Sequence, residues 1–63
     1  MNKIKYYRDL IGMQQYVLAS ITHLSAGYIC HLEIGTRKNP SIKTMEAISK
    51  ALNQSVEDVF FSK

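Results

Sequence analysis

Gly12, Gly27, Gly35 and Pro40 are the only glycine and proline residues in a chain of 63, and this sparse punctuation limits the possible folds more than any other feature. Between the breaks, apolar residues recur at spacings of three and four, the period of helices that lay one face on a core. No segment sustains the alternation and β-branched enrichment of a strand. The chain is therefore expected to be all-α, a compact bundle of five short helices.

The boundaries follow from capping chemistry. A first helix is expected over residues 3–11, with Ile4, Tyr7 and Ile11 on one face and Gly12 ending it. A second opens at Gln14 or Gln15, turns Val17, Leu18 and Ile21 inward, and stops around Thr22 and His23. Ser25 suits the N-cap of a third helix, which buries Ile29 and Leu32 and closes at Gly35. Residues 36–40, TRKNP, form a polar, basic loop. Ser41 caps a fourth helix whose inward stripe is Ile42, Met45, Ile48 and Leu52. After a turn at Asn53 and Gln54, Ser55 and Asp58 have the spacing of a capping box, opening a short fifth helix through Val59 and Phe60.

Size and composition set outer limits. A chain this short is expected to form a single domain, residues 1–63, and such a domain buries only about 60% of its unfolded surface. Hydrophobic residues at 46% and charged residues at 21% fit a packed fold and not a disordered one. No apolar run is long enough to span a bilayer, so no membrane association is expected. The first residues, MNKIKYYRDL, lack the apolar core and cleavage site of a secretion signal. A single cysteine, Cys30, cannot staple the fold. An intracellular, cytoplasmic setting is expected from these features together. The net charge of +3 tilts the choice of partner only slightly toward a polyanion.

The second and third helices, joined by a tight turn at residues 22–24, have the arrangement of a helix-turn-helix, in which the second helix of the pair enters the DNA major groove. The outward face of the third helix fits that use. At about 100° per residue, Ile29, Leu32 and Glu33 share one side, while Gly27, Cys30 and His31 point away and Ala26 lies at the exposed start. Small residues there let backbone approach base edges, an alanine methyl can pack on a thymine methyl, and His31 can donate to a guanine acceptor. Gly27 inside a helix costs roughly 1 kcal/mol relative to alanine, which close approach to DNA would explain. Gln14 and Gln15, at the start of the second helix, offer amides and free N–H groups to a phosphate. Arg37, Lys38 and Asn39 bracket the other end of the third helix with groups suited to a flanking phosphate.

These residues in this order resemble the helix-turn-helix domain of phage repressors and bacterial regulators of the Cro/CI and Xre type. The resemblance rests on Arg8, on MQQYVLA at residues 13–19, on SAGYICHLEIG at residues 25–35 and on NPSIKTMEAISKALNQSVEDVF at residues 39–60. It implies that Gln15 touches a phosphate, that Ala19 lets the second and third helices pack closely, and that Arg8 pairs with Glu33. It maps base contacts onto Ser25, Ala26, Gly27 and His31, with Tyr28 reaching the DNA backbone. Two positions depart from the family pattern: His23 stands where glycine is usual in the turn, and Gln14 replaces the usual Ser or Thr cap.

Double-stranded DNA is thus the expected partner, and a sequence-specific transcriptional regulator, a repressor in particular, the expected function. Adjacent Phe60 and Phe61 cannot both face one small core, so a homodimer contact through Val56, Phe60 and Phe61 is expected. The alternative is a protein-interaction module on the same fold, such as an antitoxin. Cys30 and His31 diverge too far on a helix to share a metal ion, and no nucleophile motif, paired carboxylates or phosphate-cradling glycine loop appears. No metal, no cofactor and no enzymatic activity are expected.

Overall fold

Helix ends in this chain are fixed by backbone conformations that only a few residue types tolerate. A computed structural model of the protein describes residues 2–62. It contains α1 (Ile4–Leu10), α2 (Gln15–Thr22), α3 (Ala26–Ile34) and α4 (Ile42–Ala51), then a fifth helical element, a wide π-type turn at Glu57–Phe61. Among the described residues there is no strand. At the end of α1, Gly12 adopts φ 69°. Its N–H returns to the Asp9 carbonyl at 3.2 Å and that of Met13 to the Arg8 carbonyl at 2.8 Å, the paired bonds of a Schellman ending. His23 (φ 60°) closes α2 and Asn53 (φ 60°) closes α4 in the same way, with Leu24 N–H on Ala19 at 3.0 Å and Gln54 N–H on Ser49 at 2.9 Å. Histidine and asparagine are among the few non-glycine residues that enter this region readily. The unusual His23 therefore leaves the turn between α2 and α3 in the left-handed conformation that glycine would supply.

Helix starts follow serines. Ser25 Oγ accepts the Tyr28 N–H at 3.0 Å and Ser41 Oγ the Thr44 N–H at 3.1 Å, each satisfying one orphan donor of a first turn. Ser55 Oγ accepts the Asp58 N–H at 3.1 Å, which is one half of the expected capping box.

The core is formed by Ile4, Leu18, Ala19, Ile29, Leu32, Ile48, Leu52 and Val59, with Tyr7, Met13, Leu24, Tyr28, Ala51 and Phe60 packed against it. α2 packs on both α3 and α4, and α1 meets the C-terminal turn. The N-terminal segment is tied down twice. Lys3 N–H donates to the Val59 carbonyl at 2.7 Å, and Asn2 Nδ2 donates to the Leu32 carbonyl at 2.9 Å while its Oδ1 accepts the Ile4 N–H.

Three residues expected to face inward do not. Ile11, Ile21 and Ile42 are exposed by 54%, 51% and 70%. Ile11 lies beyond the last turn of α1, where φ −105° and ψ 8° have already left the helix. Ile42 is the first residue of α4, ahead of the point where the helix meets the core. In α2 the inward arc of about 100° runs through Gln15, Leu18, Ala19 and Thr22, and Ile21 falls outside it. Val17 and Met45 are half-buried.

Ser49 is 2% exposed, and its hydroxyl finds no hydrogen-bond partner. Burying an unpaired hydroxyl is unfavourable by about 1–3 kcal/mol. Ser49→Ala is expected to stabilise the fold by about 1 kcal/mol, raising the midpoint of a circular-dichroism melt by roughly 4–8 °C. A lower midpoint would show that the hydroxyl is satisfied.

Candidate nucleic-acid interface

The outward face of α3 is only as well placed as α3 itself, and α3 is anchored by charge. Arg8 sits in the core at 6% exposure. Its Nε donates to Glu33 Oε2 at 2.7 Å and its Nη2 to Glu33 Oε1 at 3.0 Å, a bidentate fork on a carboxylate. Its Nη1 donates to the Met13 carbonyl at 2.7 Å. Gln15 Nε2 completes the cluster with a 2.9 Å bond to Glu33 Oε1. The Glu33 hydrogen bonds raise the Arg8 pKa above its ordinary value, against the opposing effect of burial. One side-chain constellation thus fixes α1, the α1–α2 loop and the start of α2 to the last turn of α3. Arg8 and Glu33 pair as expected. The bond from Gln15 was not foreseen: it gives an amide read as a phosphate ligand an internal duty as well.

With Ile29 and Leu32 buried beneath it, α3 turns Ser25, Gly27, Tyr28 and His31 into one shallow hollow. His23 and Leu24 from the turn, Arg37 from the following loop and Thr44 from α4 complete its lining. Of the four expected base-reading residues, three meet here. Ala26, the first residue of α3, is exposed and lies outside the lining. A Cβ built on Gly27 meets nothing within 4 Å, so packing inside the protein does not account for the glycine. The His31 ring is held at its base: Nδ1 lies 2.8 Å from Thr36 Oγ1. Cys30 is free and half-buried.

The flanks differ in character. Gln14 is the N-cap of α2 and makes no side-chain hydrogen bond to the turn it opens. Its amide is therefore uncommitted, and the first N–H groups of α2 have no helical acceptor. Across the hollow, the Arg37 guanidinium stands 5.0 Å from the centroid of the Tyr28 ring, a cation–π distance that gives an exposed arginine a defined seat. Lys38 and Asn39 are exposed, Asn39 with φ 56°. His23, Leu24, Thr36 and Thr44 are the members of this surface that sequence reasoning did not assign to it. The turn position of His23 was legible; nothing in the sequence marked the two threonines.

Phe60 packs on the core while Phe61 is 66% exposed, the division expected of adjacent aromatics. Both border an apolar groove with Ile34, Pro40 and Met45, rimmed by Arg37 and Lys38. Val56 borders a different, more polar hollow with Glu46, Asn53 and Asp58. The three residues expected to form one dimer patch thus lie along two hollows. Among the described residues, no three His, Cys, Asp or Glu side chains come together as a metal site, and no helix is long and apolar enough to cross a membrane.

Comparison with known proteins agrees with this geometry. The family profile described as helix-turn-helix matches residues 4–59. A chain in the solved structure of the complex of the SinR and SinI proteins superimposes with a TM-score of 0.87 at 30% identity, over 95% of this chain. The match spans 58% of that longer chain. No curated protein sequence matches. From Ile4 through Val59, this chain belongs to the helix-turn-helix family of the Xre and Cro/CI type.

Proposed function

We propose that this chain, a DNA-binding regulator of the helix-turn-helix type, is a sequence-specific repressor that inserts α3 into the major groove. The observation that carries the reading is the hollow on α3. There Ser25, Gly27 and His31 stand together on an exposed helix face, with Arg37 seated on Tyr28 at its edge. Base edges are read by Ser25, Ala26, Gly27 and His31. Phosphates are held by Gln14, by the free N–H groups of α2 with the remaining capacity of the Gln15 amide, and by Tyr28, Arg37, Lys38 and Asn39. The chain works as a homodimer that spaces two recognition helices by about 34 Å, one turn of duplex. The apolar groove at Phe60 and Phe61 supports such pairing, with Val56 at a separate edge.

Selection of binding sites from a random duplex library tests this directly. The expected result is an enriched inverted repeat with half-sites about one turn apart. Retention that is weak, salt-sensitive and without sequence preference would refute it. Contacts to phosphate and to base have different signatures. Lys38→Ala is expected to weaken binding to all sequences alike and to reduce the salt slope by about one. A change in the selected sequence would instead make Lys38 a base reader.

A second reading has one observation behind it: the neighbouring structure is a complex of two proteins. On that reading the groove at Phe60 and Phe61 receives a protein partner, as in an antitoxin. A monomeric chain that selects no DNA sequence would favour it.

A further inference from the structure

We infer that Thr36 determines which bases His31 can read, by fixing Nε2 of the imidazole as a hydrogen-bond donor. The inference rests on the reading of His31 as a base contact. An imidazole is an ambiguous reader: neutral, it donates from one ring nitrogen and accepts at the other, and the hydrogen can sit on either. Which nitrogen faces the groove as a donor depends on what the other is bonded to.

Here the other nitrogen has a partner. Thr36 Oγ1 lies 2.8 Å from His31 Nδ1 and 3.3 Å from the His31 carbonyl. That carbonyl already accepts the Gly35 N–H at 3.1 Å and the Arg37 N–H at 3.2 Å, which fill its two lone pairs. Of the two acceptors within reach, the hydroxyl hydrogen is assigned to Nδ1, at 2.8 Å the nearer, over the carbonyl at 3.3 Å, which already has two backbone donors. A neutral ring that accepts at Nδ1 carries its own hydrogen on Nε2. If the ring gains a proton, Nδ1 becomes the donor and the hydroxyl rotates to accept from it. Nε2 keeps its hydrogen throughout. The other groups lining the hollow are His23, Tyr28, Arg37 and Thr44 with Ser25, Leu24 and Gly27. No carboxylate is among them to compete for the imidazole hydrogen.

A donor at Nε2 finds acceptors on guanine, at N7 and O6, and none on the major-groove edge of cytosine, which offers only an amino group. Thr36 thus makes His31 select guanine over cytosine on the contacted strand, and makes that selection independent of pH. Without the hydroxyl, a neutral ring can shift its hydrogen to Nδ1 and accept from cytosine N4 or adenine N6 instead.

The test compares selected sites, and affinities for the guanine and cytosine versions of the best site, at about pH 8 and about pH 5.5. The wild-type chain is expected to prefer guanine by about tenfold at both. Thr36→Val should reduce that preference to about threefold or less at the higher pH. Thr36→Ser, which keeps the hydroxyl, should behave as wild type. A Thr36→Val chain that holds the full guanine preference at the higher pH would overturn the inference, as would a wild-type preference present only in acid. His31→Ala separates this from failure of the underlying reading. If its selected site equals that of the wild type at every position, His31 reads no base.

Discussion

Glu33→Ala is expected to cost about 3–5 kcal/mol of folding stability, lowering the melting midpoint by about 12 °C or more. The side chain removed is 97% buried, at 3% exposure, and is held by Arg8 and Gln15. Its loss leaves a guanidinium in the core with the Met13 carbonyl and, at 3.6 Å, the exposed Asp9 carboxylate as its remaining partners, and a poorly compensated buried charge is far more costly than the pair is favourable. Small domains have about 5–15 kcal/mol to lose, and one that hides little surface lies toward the lower end. Arg8→Ala should destabilise to a similar degree, by stranding the carboxylate. The double variant Arg8→Met with Glu33→Leu should recover much of the loss, since neither charge remains to be desolvated. Urea unfolding of the four proteins gives the coupling energy. Single-variant losses that simply add in the double variant would show that the two residues do not act as a pair.

The second large effect has opposite signs in two measurements. Gly27→Leu is expected to stabilise the free protein by about 1 kcal/mol, because leucine is the better helix former and the Cβ enters open space. The same change should weaken binding to the selected site by about a hundredfold, equivalent to about 2.7 kcal/mol, because the added side chain holds the α3 backbone off the base edges. A melt and a binding titration on one preparation decide the matter. A stabilised variant with unchanged affinity would remove Gly27 from the reading surface. A destabilised one would mean that the glycine serves the fold.

The sequence made the punctuated parts of the fold legible. Ser25 and Gly35 bracket α3, Ser41 opens α4 and Gly12 follows α1, because capping is local chemistry that depends on a few adjacent residues. The inward stripes were less secure at helix ends. Ile11, Ile21 and Ile42 keep helical spacing, yet spacing does not reveal where a helix stops touching the core. The core position of Arg8 came from family resemblance, since periodicity alone would not place a guanidinium among aliphatic side chains. The bond from Gln15 to Glu33 spans 18 positions, and no local pattern encodes it. Val56 and Phe60 would share a face on a regular helix, yet they border different hollows, a division that spacing does not reveal. The hollow on α3 was legible where it lies on that helix and obscure where the loop and α4 join it, at Thr36 and Thr44.

The two ties that hold the N-terminal segment bear on how such a chain is made. Lys3 is bonded to Val59 and Asn2 to the last turn of α3, so the segment ahead of α1 is fully held only once Val59 is in place. α3 is nine residues long, and isolated helices below about 12–15 residues are marginal in water. In a chain that stops short of Val59, α3 therefore relies on the Arg8–Glu33 anchor and the remaining core, without the Val59 tie to Lys3. Such a chain is expected to open more often than one that reaches Val59, and so to be cut faster by a protease.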